Sequence, residues 1–597
     1  MLNARLYRAA LVPVAVALAV AAFSLVGRPT PLSSTLAPDA FEGPRALADT
    51  NALAAAFPRR RAGSGGDTRL AAQVASMLEG LGGTAGGGFS VRMEHPEGQT
   101  LDGARALTTV IAERPGSTDA TPILIIAHRD AAAPRSRAEM SATAVLIELA
   151  RVFAARETKR TIILVSTSGG SGGDAGAAAL ASELHVPLDA AIVLGDLAAA
   201  HVRRPLVVPY SDGLGSAPSL LERTVADAIT QETGAAPGAP SAVGQLAHLA
   251  FPLASGEQGV LNAEGLPAVL VQASGERGPS AAEPVSAERL EGLGRAVLSA
   301  VDALDVSPDV PATMQTGLVL QRKTLPQWSV RLLVAALLLG PLLVAADGLA
   351  RARRRRLAVG RWTMWTLSCA LPFLTCTLFV YLLGALGVLG TTPSVPLPAG
   401  AMPFGGTAAT VVVAVLLTFL LAWLLWGMLV GRLRWGARPD PDVAGLTVML
   451  VLLPIAVLAW VGNPYEALLL VPAAHLWLLL ASPELRPRRL GSVALLLAGL
   501  APLALLVVFY AHQLALGPAG VAWAAVLVVA GGHVGLLGAL LWSVALGCAA
   551  AEALLACSPS SELPDLGGGE RVEVTIRGPL SYAGPGSLGG TESALRR

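Results

Sequence analysis

From Val330 to Ala556 the chain is dominated by Leu, Val, Ala and Ile, with charges confined to short clusters between the apolar stretches. Nothing else in the sequence limits the fold so tightly, because a hydrocarbon core about 30 Å thick is matched by roughly 20 apolar residues of helix. Such segments start near Leu332, Thr363, Ala408, Val443, Ala467, Leu490 and Val521, which predicts an all-α polytopic transmembrane bundle of about seven helices over 329–557. The last stretch runs on to Ala556. That is long for one crossing, so it is either two short crossings or one crossing with an interfacial helix.

Orientation follows from arginine, since short cytoplasmic loops retain Lys and Arg and translocated ones do not. Arg351, Arg353, Arg354, Arg355, Arg356 and Arg361 fill one loop, Arg432, Arg434 and Arg438 the next but one, and Arg486, Arg488 and Arg489 the one after that. The alternate loops, Thr391 to Gly406, Gly462 to Glu466 and Ala511 to Gly520, have no Lys or Arg. The arginine loops are therefore expected inside, and the domain before the bundle outside, at the plasma membrane. Arg5 and Arg8 ahead of the apolar run Ala9 to Val26 agree, and predict a signal anchor over 1–28, a cleaved signal peptide being the alternative. The tail, 558–597, is rich in Gly, Pro and Ser and reads as a disordered cytoplasmic segment apart from a short strand at Val572 to Ile576.

All four cysteines, Cys369, Cys376, Cys548 and Cys557, fall in or beside the apolar region, so the exported domain has no disulfides. A formal net charge of +1, with no basic run outside the inner loops, excludes nucleic acid as a partner. The partners expected are the lipid bilayer, other membrane or exported proteins, and a peptide ligand. His475 and His533 sit within apparent spans and read as neutral imidazoles bonded to neighbouring helices, and Glu552 is placed near an interface.

Residues 29–325 alternate short apolar runs with amphipathic stretches, the pattern of an α/β domain with a mostly parallel sheet and helices on both faces. Strands are expected at Ile123 to Ala127, Thr161 to Ser166, Ala191 to Leu194 and Ala268 to Gln272. Helices are expected at Thr68 to Leu81, Ala142 to Ala154, Asp174 to Leu184, Pro218 to Thr233 and Ala287 to Leu304. Ligands of such sheets bind beyond the carboxyl ends of the strands. The first strand is followed by His128, Arg129 and Asp130, and the third by Gly195 and Asp196. A His and an Asp two apart at a strand end can put an imidazole on a metal with the carboxylate orienting it.

Several ordered blocks carry a resemblance: Gly63 and Ser64 before a helix ending in Leu-Gly, then ILIIAHRD, SATAVLIELARVFA, RTIILVSTSGG, AAIVLGDL and GLPAVLV. In this order they resemble the co-catalytic zinc aminopeptidases of the M28 type, over roughly Arg45 to Asp305. The resemblance implies an aminopeptidase-like fold and a cleft at His128, Asp130, Gly170, Ser171, Asp196, Glu257 and Gln258. Its chemistry requires two zinc ions held by His, a bridging Asp, Glu, Asp and His, with a further Glu as base.

Residue by residue, His128, Asp130 and Asp196 match the first ligand, its orienting carboxylate and a later ligand. Ala138 stands where the bridging Asp belongs, with Glu139 one residue away; the Glu pair falls on Gly170 and Ser171; and the last His falls on Gln258, beside Glu257. The expectation is therefore a degenerate site with no metal cofactor and a binding or scaffold role, similar in kind to nicalin- and nicastrin-like pseudopeptidases. The main alternative is an active multi-pass zinc metallopeptidase using His128 and Asp196, with Glu139 or Glu257 as substitute ligands and Asp130 or Glu139 in catalysis. A weaker one is a serine hydrolase, because Gly169 to Gly173 matches G-x-S-x-G between a strand and a helix; Ser171 would be its nucleophile, with His201 or His248 as base and Asp196 or Asp212 behind it.

The arginine pattern makes a direct prediction. Cysteine-accessibility mapping of the full chain should find Thr391 to Gly406 outside and Arg351 to Arg361 inside; the reverse labelling would invert the whole bundle.

Overall fold

The computed structural model describes residues 4–82, 88–184, 187–201, 204–238, 241–307, 313–389, 404–432, 441–480 and 489–557. The loop over 391–403, Arg434, Arg438, Arg486, Arg488 and the tail with its expected strand lie outside the described residues.

Seven strands form the main sheet: β1 (Ser90–Glu94), β2 (Thr109–Arg114), β3 (Ile123–His128), β4 (Ile162–Thr167), β5 (Ala190–Leu194), β6 (Leu206–Val208) and β7 (Ala268–Gln272). Their spatial order is β1-β2-β4-β3-β5-β7-β6. The four inner strands β4, β3, β5 and β7 are parallel, as the apolar runs indicated. The flanking strands β1, β2 and β6 were not expected, and they join antiparallel, which makes the sheet mixed.

The inner strands are apolar throughout because both faces are covered. Ile123, Ile125 and Ala127 point to one face, where they pack with the helices Gly43–Ala56, Gly65–Glu79, Met140–Ala154, Ser219–Thr233 and Ala287–Val306. Leu124 and Ile126 point to the other, beneath Ala175–Glu183 and Gln258–Ala263. This is the alternation of a strand buried on two sides.

Among the described residues seven helices are long and apolar enough to cross a membrane: Ala4–Phe23, Gln327–Arg354, Val359–Ala385, Gly406–Val430, Val443–Gly462, Leu490–Gln513 and Leu536–Cys557. Pro464–Leu480 and Pro518–Ala530 are apolar but shorter. The stretch from Val521 to Ala556, too long for one crossing, is two helices, parted at Gly531 to Gly535, where Gly532 takes φ +80°. Helix Pro518–Ala530 has 13 residues, fewer than the roughly 20 that match a hydrocarbon core. Its beginning follows Leu514, which touches Arg277 of the α/β domain, and beyond its end Val534 accepts from the Tyr381 hydroxyl and His533 Nε2 donates to Pro252 O at 2.6 Å. Both ends therefore lie at the end of the bundle that faces the α/β domain. His533 is in that turn rather than within a span.

The N-terminal helix lies against Gln327–Arg354, where Gly340 leaves room for Ala10, and the Tyr7 hydroxyl meets His475 Nδ1 at 2.6 Å. His475 Nε2 is 3.0 Å from Leu337 O, so its imidazole is bonded to two neighbouring helices. After this helix, Val26–Gly27 pairs with Lys323–Leu325, zipping the entry into the α/β domain to its exit. Glu552 is buried among the bundle helices. The α/β domain is seated on the bundle by polar contacts: Asn463 Nδ2 donates to Leu249 O at 2.7 Å, Tyr465 to Thr316 O at 2.7 Å and Tyr510 to Phe251 O at 2.7 Å.

Candidate functional site

The parallel register sets the carboxyl ends of the inner strands side by side, with His128 opposite Thr167 and Ala127 opposite Leu194. β3 is flanked by β4 on one side and β5 on the other, the switch point at which sheets of this kind open a crevice. An open cleft lies there, with about 560 Å³ of empty space counting the solvent at its mouth. Its walls include His128, Glu139, Gly170, Ser171, Asp174, Asp196, Glu257, Glu276 and Arg277. Asp130 and Gln258, both expected in the pocket, are fully buried and do not line it.

Asp130 is bonded elsewhere. Its carboxylate accepts from Gly169 N at 2.9 Å, from Ser171 N at 3.1 Å and from the Ser171 hydroxyl. The glycine-rich loop after β4 is thereby wrapped onto the end of β3. Gly169 and Gly173 take φ +99° and +95°, values that favour glycine, and Gly170 passes so close that an added Cβ would sit 2.5 Å from His128 Cβ. The loop occupies the space beside the imidazole, so a side chain at position 170 has no room while His128 stays where it is.

The expected hydrogen bond from His128 to one of the two carboxylates is not formed among the described residues, because Asp130 faces the loop. Asp196 Oδ1 accepts from Ala198 N at 2.9 Å and Ala199 N at 3.0 Å, as a cap after β5. Burial lowers the pKa of His128 and Arg60 lowers it further, against the opposing pull of Asp130, which keeps the ring neutral.

Three carboxyls line the walls, each with one oxygen lacking a partner among the described residues: Glu139 Oε2, Asp196 Oδ2 and Glu257 Oε2. Burial is the chief cause of their shifts, which reach about 7 for Glu139, about 6 for Asp196 and about 8 for Glu257. Arg60 opposes the shift at Glu139, and the Thr167 hydroxyl, which donates to Glu257 Oε1, opposes it there. Asp174, in a left-handed conformation at φ 47°, is raised well above the carboxylate range by burial and by Glu257. At neutral pH the cleft thus carries much less negative charge than its composition suggests.

Two buried arginines hold the floor. Arg129 forms an ion pair with Asp67 at 2.9 Å and donates to the carbonyls of Ser166, Thr167 and Thr108, while Arg60 donates to Arg129 O and Ser136 O. Sequence reasoning passed over both, along with Asp174, Glu276 and Arg277. The only available signal was a charged residue inside an apolar or glycine-bounded stretch.

The residues present do not fit a two-zinc centre. Ala138 and Gly170 offer no ligand atom, Asp130 is occupied, Gln258 is behind the wall, and among the described residues no three His, Cys, Asp or Glu side chains are grouped to hold a metal ion. A serine-hydrolase triad is not assembled either. The Ser171 hydroxyl donates to a carboxylate, His201 is exposed beside Glu283, and His248 lies under the domain with its Nε2 3.3 Å from Glu276. Asp212 accepts from Ala254 N and is not behind either histidine ring as an orienting partner.

No family model matches the sequence, and no curated protein matches it. Among solved structures the chain is similar to LapB from Legionella pneumophila, with 14% identity and a TM-score of 0.39 over 48% of this chain and 79% of that one. It is also similar to a glutaminyl cyclase from Porphyromonas gingivalis, with 17% identity and a TM-score of 0.32 over 45% and 99%. A leucine aminopeptidase precursor from Bacteroides thetaiotaomicron is a third, with 14% identity and a TM-score of 0.36 over 45% and 99%.

The raised carboxyls set a pH dependence. A carboxyl whose folded pKa, about 8 for Glu257, exceeds the ordinary value near 4.3 favours the folded state below that ordinary value and loses this contribution as pH rises through about 8. Stability should therefore fall between pH 5 and pH 8. Glu257→Gln, which mimics the protonated acid and can still accept from Thr167, should make that fall shallower in melting curves. An equal or steeper fall in the variant would show that Glu257 is ionised in the folded cleft.

Proposed function

We propose that this chain is a membrane-embedded protein of peptidase-like fold whose α/β domain binds a ligand in the cleft at the carboxyl edge of its sheet and does not hydrolyse it with zinc. The observation that carries this reading is the Asp130 carboxylate, which is spent on three hydrogen bonds to the glycine loop. In the zinc aminopeptidases that the sequence resembles, the matching carboxylate orients a metal-binding histidine. Here it anchors the loop that fills the space next to that histidine.

The cleft suits an uncharged or weakly polar group more than a metal ion. It combines a neutral imidazole, partly protonated carboxyls and glycine backbone, a surface that can exchange hydrogen bonds with a peptide. The arginine distribution supports a bundle in the plasma membrane with the cleft on the outer side. The chain then acts as an anchored binding domain for an exported peptide or for an extracytoplasmic segment of another membrane protein.

Metal analysis of the purified full chain, joined to an aminopeptidase assay with added zinc, tests the reading. It predicts well under one zinc per chain and no amidase activity that a chelator removes. Two zinc per chain with chelator-sensitive activity would establish the metallopeptidase instead, and labelling of Ser171 by a fluorophosphonate would establish the serine hydrolase.

A further inference from the structure

The cleft wall at 274–279 is also the seat of a bundle helix. Gly275 and Gly278 take φ +46° and +83°, turning the chain sharply after β7, and between them Arg277 reaches Leu514 of the bundle and Glu276 reaches His248. Arg277 Nη1 donates to Leu514 O at 2.9 Å, just past the end of helix Arg489–Gln513. Glu276 Oε1 lies 3.3 Å from His248 Nε2, both side chains being buried. The His248 ring is stacked on Tyr210 at 3.8 Å and meets Phe509 and Tyr510 edge-on at 5.6 Å. The Tyr510 hydroxyl closes the chain of contacts, 3.4 Å from His248 Nδ1 and donating to Phe251 O at 2.7 Å. Two adjacent cleft residues thus reach the same end of one helix by separate routes.

We propose that the 274–279 turn couples occupancy of the cleft to helix Arg489–Gln513, so that the protein transmits binding at the domain into the bundle. This deepens the binding reading above and rests on it for the occupant, but the coupling itself is a property of the unliganded chain. The physical basis is a linked set of charged and aromatic groups, buried at Glu276, His248 and Tyr210 and half-buried at Arg277 and Tyr510. An occupant that draws Glu276 or Arg277 into the cleft must give up the close approach to His248 or the bond to Leu514, and that loss favours a rearrangement of the helix end. The far end of that helix begins at Arg489, with Pro502 interrupting its backbone hydrogen bonding on the way, so a shift at Tyr510 is taken up first by the segment 503–513. Coupling of this kind is reciprocal: what loosens the helix end must loosen the turn.

Amide hydrogen exchange on the full chain in lipid nanodiscs tests this in both directions. Glu276→Gln should raise exchange severalfold in peptides covering 505–516, and Tyr510→Phe should do so in peptides covering 272–280. Peptides from helix Ala287–Val306, which takes no part in the network, should keep their native rate in both variants. Changes confined to the mutated element in either variant would overturn the coupling, whatever metal analysis says of the cleft. If Glu276→Gln unfolds the domain, visible as lost protection in 287–306, the Tyr510→Phe arm decides alone, since it removes one hydroxyl from the bundle side.

Discussion

Everything distinctive about the cleft hangs on one buried carboxylate. Asp130 is fully enclosed and receives two backbone N–H groups and a hydroxyl from a single loop. Hydrogen bonds to a charged acceptor contribute about 1.5–3 kcal/mol each, and leaving a buried charge without them costs more than that. The glycine loop is therefore held against the end of β3, and from this follow the lack of space beside His128, the neutral ring and the absence of an orienting partner for it. Arg129 and Arg60 complete the arrangement from below by fixing the carbonyls at the strand ends. The pocket is built from backbone and buried acids, whereas a co-catalytic metal centre is built from converging side chains.

Much of the frame was legible in the sequence, and for a plain reason. Strands β3, β4, β5 and β7 are buried on both faces, so nearly every residue in them is apolar and they stand out from the amphipathic helices around them. Two of the flanking strands were not legible because they are short or largely open, while the buried Thr109–Arg114 has only a brief apolar run. Ser90–Glu94 is mostly polar and exposed, and Leu206–Val208 is three residues long. Pairing of Val26–Gly27 with Lys323–Leu325 joins segments about three hundred residues apart through backbone alone, which leaves no residue-type trace. That the stretch to Ala556 was too long for one crossing was legible from its length, but the place of the break at Gly531 to Gly535 was not, because glycine is common in apolar spans.

At the site, strand ends told where His128, Asp130 and Asp196 would be in the chain, but not what each would bond. Asp130 was read as the partner of an imidazole because both follow one strand. Its true partners are two backbone amides of glycine-loop residues and one hydroxyl, and backbone donors are invisible to any reading of side-chain type. Gln258 was carried to the pocket by counting residues, yet one residue along the helix separates facing the cleft, as Glu257 does, from facing the core. Glu276 and Arg277 were missed because their importance comes from the bundle helix packed beneath them.

The most direct test of this account replaces the anchor itself. In Asp130→Asn the amide can present one acceptor where the carboxylate presented two, so at least one loop donor loses its partner. Measured by denaturant unfolding of the full chain, the account predicts a loss on the order of 2–4 kcal/mol, with any bound zinc unchanged from the native level. Near-native stability with a loss of bound zinc would contradict it, since Asp130 would then be orienting a metal ligand instead of holding the loop.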